Sequence, residues 1–165
     1  MGRINAWWTA FNCANARITG GGFEMWHDKA YDNYAPDPTN VRDVHSIYFE
    51  VLGEHGWPGL VLFLSLIGLT WTKCGSMIRM SKKIGKEALW GRDLGQMIQV
   101  SLVAYLSAGA FLGLAYFDYV YHLVAIVVMG HQFIKSRFEE HQKKLRAAGQ
   151  RPQSSIGALG QPGQT

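Results

Sequence analysis

The side chains of this 165-residue sequence that are best suited to chemistry fall in its first third: Arg3, Arg42, His45, Glu50, Glu54 and His55. An imidazole titrating near pH 6.5 suits proton transfer, and a guanidinium fork suits phosphate. Directly after Asp43–Val44, His45 also suits a helix cap or flank. Glu50 and Glu54 lie one helical turn apart, a spacing that serves a cation or an acid–base pair. The preferred reading is a solvated face, or a Glu54 hydrogen bond that holds a loop. His45 and His55 are ten residues apart, not the i, i+4 spacing of a helical site, so no metal site is expected. Gly20–Gly22 have neither the strand nor the lysine of a phosphate cradle, and read as a turn.

The elements that must position these groups belong to a membrane. Apolar residues make up 48% and charged residues 17%, against roughly 25% charged in a soluble domain. The mean hydropathy of −0.03 averages very apolar with very polar stretches. Aromatic content of 13% excludes disorder, and two cysteines exclude a disulfide scaffold. The charge is segregated: seven acids against three bases between Arg17 and Gly56, then six bases against two acids both over 73–93 and from Lys135 onward. The basic blocks read as loops facing anionic lipid, so the overall charge of +4 implies no nucleic acid.

Three apolar runs separate the blocks. Residues 57–74 span roughly 27 Å, 94–117 about 36 Å and 119–134 about 24 Å at helical rise. Asp118, among Tyr116, Phe117, Tyr119 and Tyr121, reads as an interfacial turn in an aromatic belt. The expected fold is therefore all-α and polytopic, with three transmembrane helices after an extracytoplasmic loop–helix region. The positive-inside rule puts the basic loop 75–93 and the segment from 135 in the cytoplasm, and residues 1–56 outside. Cys13 and Cys74 then lie apart and unpaired.

Residues 3–16 place Ile4, Trp8 and Phe11 at helical spacing, an amphipathic helix at the interface. Residues 17–44 read as a loop, and 44–56 as a short helix, capped by Asp43, that runs to a break at Gly56–Pro58. His122 and His131 near the ends of the last span read as satisfied structural groups. Gly109 and Gly113 form a G-x-x-x-G for close helix packing. The tail from Ala147 reads as disordered. An exported N-terminal region without a signal segment fits a chain that is the C-terminal portion of a larger polytopic protein.

The run His45-Ser46-Ile47-Tyr48, then Glu54-His55-Gly56 and Gly59-Leu60 opening a span, resembles the signature of the bacterial O-antigen ligase and polymerase family. Gly2-Arg3 with Trp7, and Gly21-Gly22-Phe23, resemble the arginine-bearing helix and glycine turn that precede it. The likeness covers roughly residues 1–140, and its nearest branch is the O-glycosylation ligase associated with exosortase systems. The family carries about ten or more spans, so the resemblance implies missing N-terminal spans or a partner membrane chain. It also implies a multi-pass inner-membrane protein, N-terminal region periplasmic and C-terminus cytoplasmic. The implied activity is transfer of a glycan from an undecaprenyl-diphosphate-linked donor to an acceptor glycolipid, protein or polysaccharide, without cofactor or metal. In that reading His45 is the catalytic base or acceptor-orienting group, Arg3 the diphosphate contact with Arg42 behind it, and Glu54 and Gly56 structure the loop. A non-catalytic membrane subunit or remnant, or an O-antigen polymerase, are the alternatives.

Overall fold

The structure, a computed structural model, describes residues 2–149. They are helical without strands: α1 (Gly2–Ala16), α2 (Asp28–Tyr34), α3 (Ile47–Ile84), a 3-10 turn (Lys86–Ala88), α4 (Leu89–Gly109) and α5 (Tyr119–Gly149). The long α3 is the spine against which α1, α4 and α5 all pack.

A break at Gly56 divides α3, with φ 64° and ψ −161°, a region open only to glycine. Pro58 then stands just inside the second segment, where its missing N–H costs least. At the far end Gly85, with φ 97°, stops the helix, and Lys82 and Lys83 in its last turn offset the negative end of the dipole. Each long helix buries one stripe: Phe63, Ile67 and Cys74 of α3 meet Ile98, Leu102 and Tyr105 of α4 and Val120, Leu123 and Val127 of α5. Glycines let large side chains in, Gly91 against Ile134 and Gly109 against Ile47.

The opposite faces are just as apolar. Val61, Leu62 and Leu69 on α3, Met97 and Val100 on α4, and Val128 and Met129 on α5 are all exposed. A helix that is hydrophobic all round is either the core helix of a large protein or a membrane span. α3 is the helix long and apolar enough to cross a membrane, with an 18-residue window of mean hydropathy 1.5 of which only 28% is buried, unlike a soluble core helix. One such helix is found among the described residues; α4 and α5 do not reach that measure.

α1 carries its apolar residues outward too. Asn5, Ala6, Thr9, Ala10, Cys13 and Ala14 face the protein, while Ile4, Trp8 and Phe11 face away. Phe11 meets Trp57 edge-to-face at 6.0 Å, at the head of the second α3 segment. Small residues inside and aromatics outside suit a helix lying in a membrane interface.

Several boundaries differ from those read in sequence. α4 stops at Gly109, not Phe117. Tyr48 Oη donates to the Leu106 carbonyl at the end of α4, and Tyr105 Oη of α4 donates to the Leu114 carbonyl, which turns 110–118 back along α4; hydropathy does not register such ties. The G-x-x-x-G therefore does not lie on one helix, and Gly113 sits by Glu50 and Asp43 instead. The expected loop 75–93 is helical to Ile84, and the expected loop 17–44 contains α2. Ser46, not Asp43, occupies the cap position of α3, because the Asp43 carboxylate accepts the Val44 N–H. The helix of α5 runs on through Ala147 to Gly149, and the rest of the tail expected to be disordered lies outside the described residues.

Candidate functional site

The segment that carries Arg42, Asp43 and His45 is irregular backbone, held by side chains from α1 and α2. The Asn5 amide donates to the carbonyls of Asp37 (2.8 Å) and Asn40 (3.2 Å), and its oxygen accepts the Asp37 N–H. Trp7 Nε1 donates to the Val44 carbonyl at 3.0 Å while its ring stacks on Phe49. Tyr31 Oη donates to the Arg42 carbonyl. Gly2 leaves room for the Arg42 side chain, which a Cβ there would strike.

These ties bring together residues some forty positions apart. Arg3, Arg42, Asp43 and His45 line one open cavity of about 530 Å³, with Gly2 and Ile4. His45 has φ 45°, a left-handed conformation uncommon outside glycine. Its Nδ1 lies 3.7 Å from an Asp43 carboxylate oxygen, with both side chains about half exposed. Two guanidinium groups and an imidazole backed by a carboxylate can bind an anion and take a proton beside it. Sequence reading treated Asp43 only as a cap. Its signal was its place two residues before His45, close enough for the carboxylate to reach the imidazole.

Glu54 and Gly56 belong to a neighbouring clasp. Glu54 is 4% exposed, and its carboxylate accepts the Glu24 N–H at 3.0 Å and the Tyr116 hydroxyl. Tyr116 Oη is also 3.1 Å from His55 Nε2. Burial, and then the bond to Glu54, hold the Tyr116 phenol well above its usual range. Gly21 and Gly22 donate their N–H groups to the carbonyls of Gly53 (2.7 Å) and Glu54 (2.9 Å). A Cβ at Gly20 would come within 2.6 Å of the Gly53 oxygen, and one at Gly56 would strike the Ile18 carbonyl. The glycine turn is thus docked backbone to backbone on the α3 kink. Glu50 accepts the Ala115 N–H at 3.4 Å, and burial raises its carboxyl above the usual range, partly offset by that N–H. Both carboxylates tie 110–118 onto α3, a role no sequence spacing announced for Tyr116.

The remaining candidates lie elsewhere. His122 Nδ1 meets the Asp118 carbonyl at 2.7 Å, and His131 Nε2 meets Ser76 Oγ at 3.3 Å. Cys13 and Cys74 are free and buried. Among the described residues no three His, Cys, Asp or Glu side chains are grouped to hold a metal.

Residues 1–64 match the family model of the O-antigen ligase. The matched stretch contains α1, the glycine turn, the Arg42–His45 segment and the α3 kink, and so every residue that lines the cavity of Arg3 and His45. It supports an O-antigen ligase-like, glycosyl-transferring function in general, and with the apolar α3 it supports a membrane protein. No curated protein and no solved structure matches the chain.

Proposed function

We propose that the protein takes part in glycan transfer from an undecaprenyl-diphosphate-linked donor to an acceptor hydroxyl at the periplasmic face of the inner membrane, in the manner of the exosortase-associated O-glycosylation ligases. The observation that carries this reading is the convergence of Arg3, Arg42 and His45 on one cavity. In this reading the chain spans three times, and both basic blocks are cytoplasmic. The second α3 segment, 28 residues or about 42 Å of helix, separates that cavity from the basic end.

The chemistry follows from the residues. Arg3 and Arg42 hold the donor diphosphate and meet the charge that grows on it as the glycosidic bond breaks. The acceptor oxygen bonds to the anomeric carbon while undecaprenyl diphosphate departs with the bonding pair. His45 Nε2 accepts the hydroxyl proton, and Asp43 near Nδ1 steadies the imidazolium that forms.

The test uses the full chain in native-lipid nanodiscs, with undecaprenyl diphosphate as binding probe and a lipid-linked oligosaccharide as donor. Arg3→Ala is expected to weaken diphosphate binding about 10- to 100-fold, the worth of a charge-assisted contact. His45→Ala is expected to leave binding intact and to cut transfer by about 100-fold or more. Unchanged diphosphate binding in both Arg3→Ala and Arg42→Ala overturns the assignment.

A further inference from the structure

A second, larger cavity of about 1210 Å³ lies beside the first and shares Arg42 and Asp43 with it as a common wall. Its basic residues are Arg42 and His27, and its acids outnumber them. Glu24, Asp43, Glu50 and Glu54 bring four carboxylates to its lining, and Phe23, Trp26 and Tyr116 bring three aromatic rings. Phe23 is 73% exposed and meets Tyr116 at 5.6 Å and His55 at 4.7 Å between centroids, an aromatic platform open to solvent. Glu54 is taken up by Glu24 N–H and Tyr116, Glu50 accepts the Ala115 N–H and Asp43 the Val44 N–H, which leaves the Glu24 carboxylate and the remaining lone pairs of Asp43 and Glu50 to face a ligand.

Ionised carboxylates only accept hydrogen bonds, so a ligand here must bring donors. Aromatic faces stack on C–H-rich, uncharged surfaces. A sugar ring supplies both, whereas an anion meets like charge on several sides. The shared wall of Arg42 and Asp43 sets this cavity next to the one lined by Arg3 and His45. We propose that the larger cavity is the acceptor subsite, and that it selects an uncharged, hydroxyl-rich glycan end over one bearing phosphate or uronic acid. This inference rests on the glycan-transfer reading for the word acceptor, but its binding preference stands on the lining alone.

Binding of chitotetraose and of tetragalacturonate to the full chain in nanodiscs, by calorimetry at low and high salt, tests it. Chitotetraose is expected to bind, and tetragalacturonate to bind at least about 10-fold more weakly at low salt, with the gap narrowing as salt screens the carboxylates. Phe23→Ala, at an exposed position, is expected to lose most chitotetraose binding. Glu24→Gln, whose amide oxygen still accepts a hydroxyl, is expected to bind tetragalacturonate several-fold more tightly than the wild type does. Equal or tighter binding of tetragalacturonate, or no binding of chitotetraose, overturns the inference. The two readings fail separately. Lost diphosphate binding with an intact sugar preference removes the transfer role and keeps a neutral-glycan site. Intact diphosphate binding without the preference removes only this inference.

Discussion

The layer built from residues 2–55 and the bundle below it hold together by different means. In the bundle, contact is apolar side chain on apolar side chain or on glycine, as Leu102 and Ile134 show. In the upper layer, most ties run from one side chain to one backbone carbonyl or N–H: Asn5 to Asp37 and Asn40, Trp7 to Val44, Glu54 to Glu24. Apolar packing tolerates sliding and repacking, whereas a hydrogen bond fixes one atom against another. The layer that must hold Arg3, Arg42 and His45 in one geometry uses the second means. Damage to the bundle should therefore lower stability and spare ligand binding, and damage to the upper layer should affect both.

Gly56→Ala attacks the joint between the two and is expected to have the largest effect. The glycine-only backbone and the collision with the Ile18 carbonyl together cost about 3 kcal/mol or more. The expected result is a sharp loss of monodisperse protein after detergent extraction. Leu102→Ala, wholly inside the bundle, is expected to cost about 2–4 kcal/mol by thermal unfolding, with diphosphate affinity unchanged. Trp7→Phe keeps the stack on Phe49 but leaves the buried Val44 carbonyl without its donor. It is expected to cost only about 1–2 kcal/mol, yet to weaken diphosphate binding several-fold; unchanged affinity would erase the contrast.

The smallest effect is a pH dependence. Burial raises the Glu50 carboxyl, so the folded chain holds that proton more tightly than the unfolded one. The stability this contributes is fully present below the ordinary carboxylate range and is lost as pH rises through the raised value. Glu50→Gln is expected to flatten thermal stability across that window, raising it slightly at neutral pH. A wild-type profile that the substitution leaves unchanged would remove Glu50 from this role.

The bundle's helices and the α3 break were legible because hydropathy and the Gly56–Pro58 pair are local signals. So was α1, since Ile4, Trp8 and Phe11 share a spacing, although only the structure shows that its inner face is small and polar. The early end of α4 was not legible: it depends on Tyr48 and Tyr105, ordinary aromatics until the fold brings them to Leu106 and Leu114. At the site, residue type and resemblance singled out Arg3, Arg42 and His45, and the structure brings them to one cavity. The means of doing so, Asn5 reaching across more than thirty residues, leaves no trace in spacing. Tyr116 was legible only as one more aromatic near Asp118.

The break at Gly56 also sets which parts of the molecule share a rotational phase. Because the backbone is reset there, the azimuth of 57–84 is not inherited from 47–55. A residue inserted within the span turns the α3 residues beyond it by about 100° and lengthens the helix by about 1.5 Å, while Arg3, Arg42 and His45, all held ahead of the break, keep their bearing on their cavity. Span length can thus follow the thickness of a bilayer without re-aiming the candidate site residues.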